Sequence, residues 1–197
     1  MLKINKGEPW IFWPSSICDT FPENPANLYL DGNTNFTLEI DFLIAEVSDT
    51  QKTIFTIVPR FTAIDCYPDK TIITITYEDK ADYHTLDTIV SPGALTNIKF
   101  KHVKNHSFEV FINNEKVVFE DLTKRPFRTF GLSKFPHVII GAGNFPKNDF
   151  NLNYSDLEIH SFKLYREDEL VTHHDFKQQI FDKFVDITGN LNFIHKL

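Results

Sequence analysis

Three short runs carry side chains that could do chemistry. Glu39-Ile40-Asp41 sets two carboxylates two residues apart. On a strand, residues i and i+2 share a face, so the pair would stand together as two acids do in glycoside hydrolysis. Glu158-Ile159-His160 places a carboxylate and an imidazole in the same relation, although an exposed strand edge is the plainer reading. His173-His174-Asp175 offers metal-ligating atoms, yet sequence neighbours point in different directions and rarely share one ion. Thr172 or Asp175 capping a following helix is the plainer reading. Calcium takes about six to eight oxygens drawn from several loops. Asn144, Asp149, Asn151 and Asn153 form one loop of suitable chemistry, and Asp65 with Asp69 a second. Calcium is the one cofactor these loops admit, although Asx-rich loops are commonly just turns. Aromatic rings are the remaining chemistry. Trp10, Phe12 and Trp13 cluster, and Tyr67, Tyr77 and Tyr83 stand near polar neighbours. Such rings can stack on the apolar face of a sugar, pin an N-terminal arm across a core, or sit in a contact between copies of the chain.

The chain that must position these groups has 197 residues, the length of one ordinary domain. Hydrophobic residues make up 42% and charged residues 24%, a globular balance. Phenylalanine stands out at 20 residues against seven glycines, which predicts an aromatic-filled core. A net charge of −7 argues against a nucleic-acid partner. No apolar run is long enough to insert in a membrane. The N-terminal stretch MLKINKGEPWIFWPSS has lysines but no continuous apolar segment, and Pro9 and Pro14 interrupt it. No secretory leader is expected. Synthesis in a cytosol, with release by lysis as for a virion component, fits better than classical secretion. Cys18 and Cys66 lack metal-ligand spacing and read as free thiols.

Alternation of apolar and polar residues dominates. Phe36, Leu38, Ile40, Phe42 and Ile44 alternate with Thr37, Glu39 and Asp41, which predicts a long half-buried strand. In that setting Glu39 and Asp41 are its polar outer face. Further strands are predicted at 54–58, 73–77, 98–102, 138–140 and 191–194. Phe108, Val110 and Ile112 run into Asn113-Asn114, a turn that tolerates positive φ, and residues 107–120 read as a hairpin. Around 157–164 the apolar phase shifts from Leu157 and Ile159 to Phe162 and Leu164, so a β-bulge is expected at His160-Ser161. Only His174–Val185 has helical spacing, through Phe176, Ile180, Phe181 and Phe184, and a short C-terminal helix is expected there. The fold class is all-β: a two-sheet antiparallel jelly-roll β-sandwich with that helix. One domain covers 1–197, with 1–26 as an N-terminal arm, 27–170 as the sandwich and 171–197 as helix and strand.

Three segments carry a family resemblance. Residues 27–45, NLYLDGNTNFTLEIDFLIA, resemble the opening strands of concanavalin A-like and laminin-G-like domains. Residues 96–118, TNIKFKHVKNHSFEVFINNEKVV, are similar to the central hairpin, without the usual glycine after Asn113. Residues 138–170 resemble the closing segment, in which an "IG" strand, a loop and an acidic-apolar strand lead to "LYR". The resemblance implies two antiparallel sheets and roles ranging from lectin to glycanase to bacteriophage structural protein. Laminarinase-like enzymes of this group carry a third acid after E-x-D, where this chain has Leu43 and Ile44. Alginate-lyase-like enzymes use Q-I-H, and here Glu158 replaces the Gln. The expected function is therefore a non-catalytic, lectin-like module for a carbohydrate or surface polymer, with Asp65, Tyr67, Asn144 and Asp149 at one rim as ligand-binding residues. The alternative is a virion or phage decoration protein using the sandwich for contact with other virion proteins or with its own copies.

Overall fold

The computed structural model describes residues 1–5, 10–13, 35–45, 52–58, 62–66, 70–76, 81–87, 90–124, 137–141, 156–177, 179–180, 183–185, 187–188 and 193–196. Their strands, in chain order, are β1 (Leu2–Ile4), β2 (Trp10–Trp13), β3 (Phe36–Ile44), β4 (Lys52–Val58), β5 (Thr62–Cys66), β6 (Lys70–Thr76), β7 (Ala81–Asp87) and β8 (Thr96–Val103). Then come β9 (Ser107–Ile112), β10 (Glu115–Asp121), β11 (His137–Ile140), β12 (Leu157–Arg166), β13 (Glu169–His174), β14 (Gln179–Ile180), β15 (Lys183–Val185) and β16 (Phe193–Lys196).

They form two antiparallel sheets. A seven-stranded sheet runs β1-β12-β3-β8-β9-β10, with β13 beside β1 along the same edge of β12. A nine-stranded sheet runs β14-β15-β16-β2-β11-β4-β5-β6-β7. The alternation read from β3 is realised residue by residue: Phe36, Leu38, Ile40, Phe42 and Ile44 are buried, and the residues between them half-buried. Phe100, Phe108 and Phe162 join them from neighbouring strands, and Ile54, Ile64, Ile73, Ile75 and Ile140 from the other sheet. One core thus lies between the sheets, as a sandwich requires. Each fully buried Phe contributes about 2–3 kcal/mol of hydrophobic stabilisation.

The bulge stands where the phase shift placed it. The β12–β3 register slips between Ile159 and Ser161, which lets Ile159 and Phe162 both face the core. Asn113 and Asn114 form the β9–β10 turn with φ of 50° and 68°, the mirror-image turn that matches strand twist.

One expectation needs correction. Among the described residues of His174–Val185 no helix forms: β13 ends at His174, and β14 and β15 pair as a small hairpin. The Asp175 carboxylate accepts the Lys177 backbone N–H at 3.1 Å, and Phe176 takes φ 56°, a conformation no helix continues through. Phe176, Ile180 and Phe184, which share helical spacing in the sequence, fall in a turn, on β14 and on β15 respectively. Within the 1–26 segment, Leu2–Ile4 joins the seven-stranded sheet as β1, and Trp10–Trp13 lies inside the other sheet as β2, between β16 and β11.

Candidate functional site

Burying one face of the seven-stranded sheet leaves its other face to the alternate residues, and cross-strand register decides which of them meet. In one row Lys163 faces Glu39, Glu39 faces Lys99, Lys99 faces Phe111 and Phe111 faces Lys116. In the next, Tyr165 faces Thr37, Thr37 faces Lys101, Lys101 faces Glu109 and Glu109 faces Phe119. These two rows build a groove of about 470 Å³ lined by Thr37, Glu39, Lys99, Lys101, Glu109, Phe111, Tyr165 and Asp168.

Its charges are largely matched. Lys99 lies 3.6 Å from Glu39, and Lys116 lies 2.9 Å from Glu109. Both ammonium groups also stand over the Phe111 ring, at 5.5 and 5.8 Å from its centroid, within cation–π range. Asp41, one pair further along, accepts a hydrogen bond from Asn97 Nδ2 at 2.7 Å. Among the described residues, Lys101 and Lys163 make no ion pair. Tyr165 therefore offers the ring not already covered by lysine. Burial, and then the nearby Glu39 carboxylate, push its phenol above the ordinary value of 10.0, so it enters the groove as a neutral donor.

One wall is the β12–β13 turn. Glu167 and Asp168 adopt φ of 47° and 68°, a costly conformation for a residue such as Glu. A clamp offsets that cost. Glu167 accepts hydrogen bonds from the Asn35 backbone N–H at 3.1 Å and from Asn35 Nδ2 at 2.7 Å. Its own N–H donates to the Asn35 carbonyl at 3.3 Å. Asn35 Oδ1 in turn accepts the Lys104 N–H at 2.8 Å. The strained tip thus holds Asp168 in place along the groove.

Of the ligand-binding residues expected from sequence, Asp65 alone is among the described residues. Asp65 belongs to β5 in the nine-stranded sheet, opposite Thr53 and Ile72, away from this groove. Tyr67, Asn144 and Asp149 lie outside the described residues, as do Cys18, Asp69, Asn151 and Asn153. Among the described residues no cluster of three or more His, Cys, Asp and Glu side chains could hold a metal. His173 and His174 alternate across β13: His174 is buried against Phe162 and Phe176 while His173 is half-buried. Glu158 is engaged by Lys3 at 3.4 Å, and His160 is the bulge residue, 3.8 Å from Glu158. Cys66 is a buried thiol in no disulfide, 4.0 Å from the Thr71 hydroxyl. Glu39 was read as outer face, and it is. What the alternation alone did not reveal is that this face holds a groove, in which Glu39 is joined by Thr37 on its own strand and by Lys99, Lys101, Glu109, Phe111, Tyr165 and Asp168.

Solved structures share the architecture. The binding domain of botulinum neurotoxin serotype D superposes with a TM-score of 0.56 at 11% identity, over 83% of this chain and 38% of that one. A second structure, the receptor binding domain of botulinum neurotoxin D, gives 0.56 at 12% identity over 83% and 39%. A family 7 alginate lyase in complex with substrate gives 0.50 at 10% identity, over 74% of this chain and 66% of that one. The fold is an antiparallel β-sandwich. At these identities the likeness is one of fold, and this chain spans well under half the length of the toxin domains. No protein-family model and no curated protein sequence matches the chain.

Proposed function

We propose that this chain is a non-catalytic, lectin-like binding module that takes a carbohydrate or surface polymer in the groove on its seven-stranded sheet. The observation that carries this reading is the Tyr165 ring set among the acid–base pair Glu39–Lys99 and the side chains of Lys101 and Asp168. A sugar presents an apolar C–H face and a rim of hydroxyls. The ring suits the first; a carboxylate beside an ammonium suits the second, one hydroxyl donating and its neighbour accepting. Binding roles named for the toxin domains of similar fold are in keeping with this. The lyase of similar fold marks the catalytic alternative. Against that alternative, each glutamate in the groove already faces a lysine, whereas glycosidases set one proton-holding carboxyl opposite a second acid. The rim set of Asp65, Tyr67, Asn144 and Asp149 is a second candidate for the contact.

A glycan array, run with calcium and with chelator, tests the proposal. Wild type retains a saccharide without cleaving it. Tyr165→Ala weakens retention by about five- to thirtyfold, equivalent to about 1–2 kcal/mol. Loss on Tyr67→Ala or Asn144→Ala instead moves the contact to the rim, and the chelator arm reads any calcium dependence. A blank from folded protein removes the lectin reading and favours the structural, protein-contact role.

A further inference from the structure

A smaller depression of about 170 Å³ adjoins the groove at the other end of β3 and β8, lined by Asn35, Phe36, Thr37, Lys101, His102, Val103 and Asp168. Three residues belong to both hollows: Thr37, Lys101 and Asp168. Thr37 and Lys101 are direct cross-strand partners, so the hollows meet across a single residue pair and form one trough. Its axis follows the strands, from Val103 to Lys99 on β8. Four steps of strand make that about 13 Å, more than one pyranose ring can cover. Polar groups recur along the whole length: Asn35 at one end, Lys101, Glu109 and Asp168 at the junction, Glu39 and Lys99 at the other. Among the described residues neither the Lys101 ammonium nor the Asp168 carboxylate has an ion-pair or hydrogen-bond partner. A ligand confined to the larger hollow would leave the smaller one, with Asn35 and Val103, uncovered, whereas a chain running through would lie in both.

From this we infer that the site takes a linear, unbranched oligosaccharide segment lying along β3 and β8, and not a single terminal sugar. The inference rests on the groove being the carbohydrate site. The Asn35–Glu167 clamp, which holds Asp168 at the junction, rigidifies the trough where the chain must pass and so lowers the ordering cost of binding.

The test is affinity electrophoresis of the full chain through gels containing alginate, laminarin, dextran or mannan. It is followed by calorimetric titration of whichever polymer retains it, as monosaccharide, disaccharide and a ladder of longer fragments. Affinity is expected to climb with length beyond the disaccharide and then level off. Val103→Trp, which fills the smaller hollow, is expected to cut the ratio of long-fragment to disaccharide affinity about tenfold, equivalent to about 1.4 kcal/mol. Asp168→Asn, which tolerates the same backbone conformation, is expected to lower that ratio also, with an unchanged melting temperature excluding misfolding. A monosaccharide that binds as tightly as the polymer, together with sensitivity to Tyr165→Ala, overturns the extended-chain inference and leaves the groove standing. Retention by no polymer and binding of no fragment overturns both.

Discussion

Tyr165 is the residue on which the site turns, and its ionisation reports its surroundings. Burial and Glu39 both raise its phenol above 10.0. A raised value means the folded state holds the proton more tightly than the unfolded chain. The stability this gives is therefore fully present below pH 10.0 and is lost as pH rises through the folded-state value. Phenolate absorbance of wild type minus Tyr165→Phe should show a midpoint above 10.0, and Glu39→Gln should lower that midpoint without fully restoring the ordinary value. A Tyr165 that titrates at 10.0 would place the ring in open water and out of the groove. The Asn35 clamp gives a second prediction. Asn35→Ala removes two exposed hydrogen bonds from a strained turn, and urea unfolding should show a loss of about 1 kcal/mol. At this scale the sequence was half legible. Glu39 and Asp41 were recognisable as outward-facing on a half-buried strand. Their partners were not, because Lys99, Phe111 and Tyr165 sit on three other strands and only register brings them together.

Strands were legible where one face is buried and the other wet. β3, β8, β9 and β12 write that pattern plainly, and the phase slip in β12 marked its bulge. Deleting His160 makes this testable. Without the extra residue, Leu157 and Ile159 cannot face the core together with Phe162 and Leu164. Exposing two aliphatic side chains should cost roughly 3–6 kcal/mol. His160→Ala, which keeps the residue count, should cost under about 1 kcal/mol, and equal losses in the two variants would refute the register argument. Other elements were not legible for physical reasons. Trp10–Trp13 is a short apolar run between prolines, which periodicity cannot classify. Phe176, Ile180 and Phe184 have helical spacing, and the turn at Asp175–Lys177, which the spacing does not show, breaks it.

Across the whole molecule, the two sheets share one aromatic-rich core and are tied at their margins. At one side His84 on β7, inward-facing opposite Ile73, stands 2.9 Å from Glu120 on β10, opposite Phe108. The atoms are at ion-pair distance but are not aligned as a hydrogen bond. At the other side the Ile187 N–H donates to the His173 carbonyl at 2.8 Å, and the Thr188 hydroxyl to the Val171 carbonyl at 3.2 Å. This leaves the outer face of the seven-stranded sheet as a platform, and the charges in and beside the groove balance: Lys99, Lys101, Lys116 and Lys163 against Glu39, Asp41, Glu109 and Asp168. The chain as a whole carries −7, so this platform is the less repulsive place for a polymer that bears acidic groups. The central claim is that this platform is the binding face. Amide chemical-shift mapping of the folded protein with a fragment of the retained polysaccharide tests it most directly. The largest shifts are predicted at Thr37, Glu39, Lys99, Lys101, Phe111, Tyr165 and Asp168. Shifts concentrated instead on the nine-stranded sheet around Asp65 and Tyr67, with this face silent, would contradict the account.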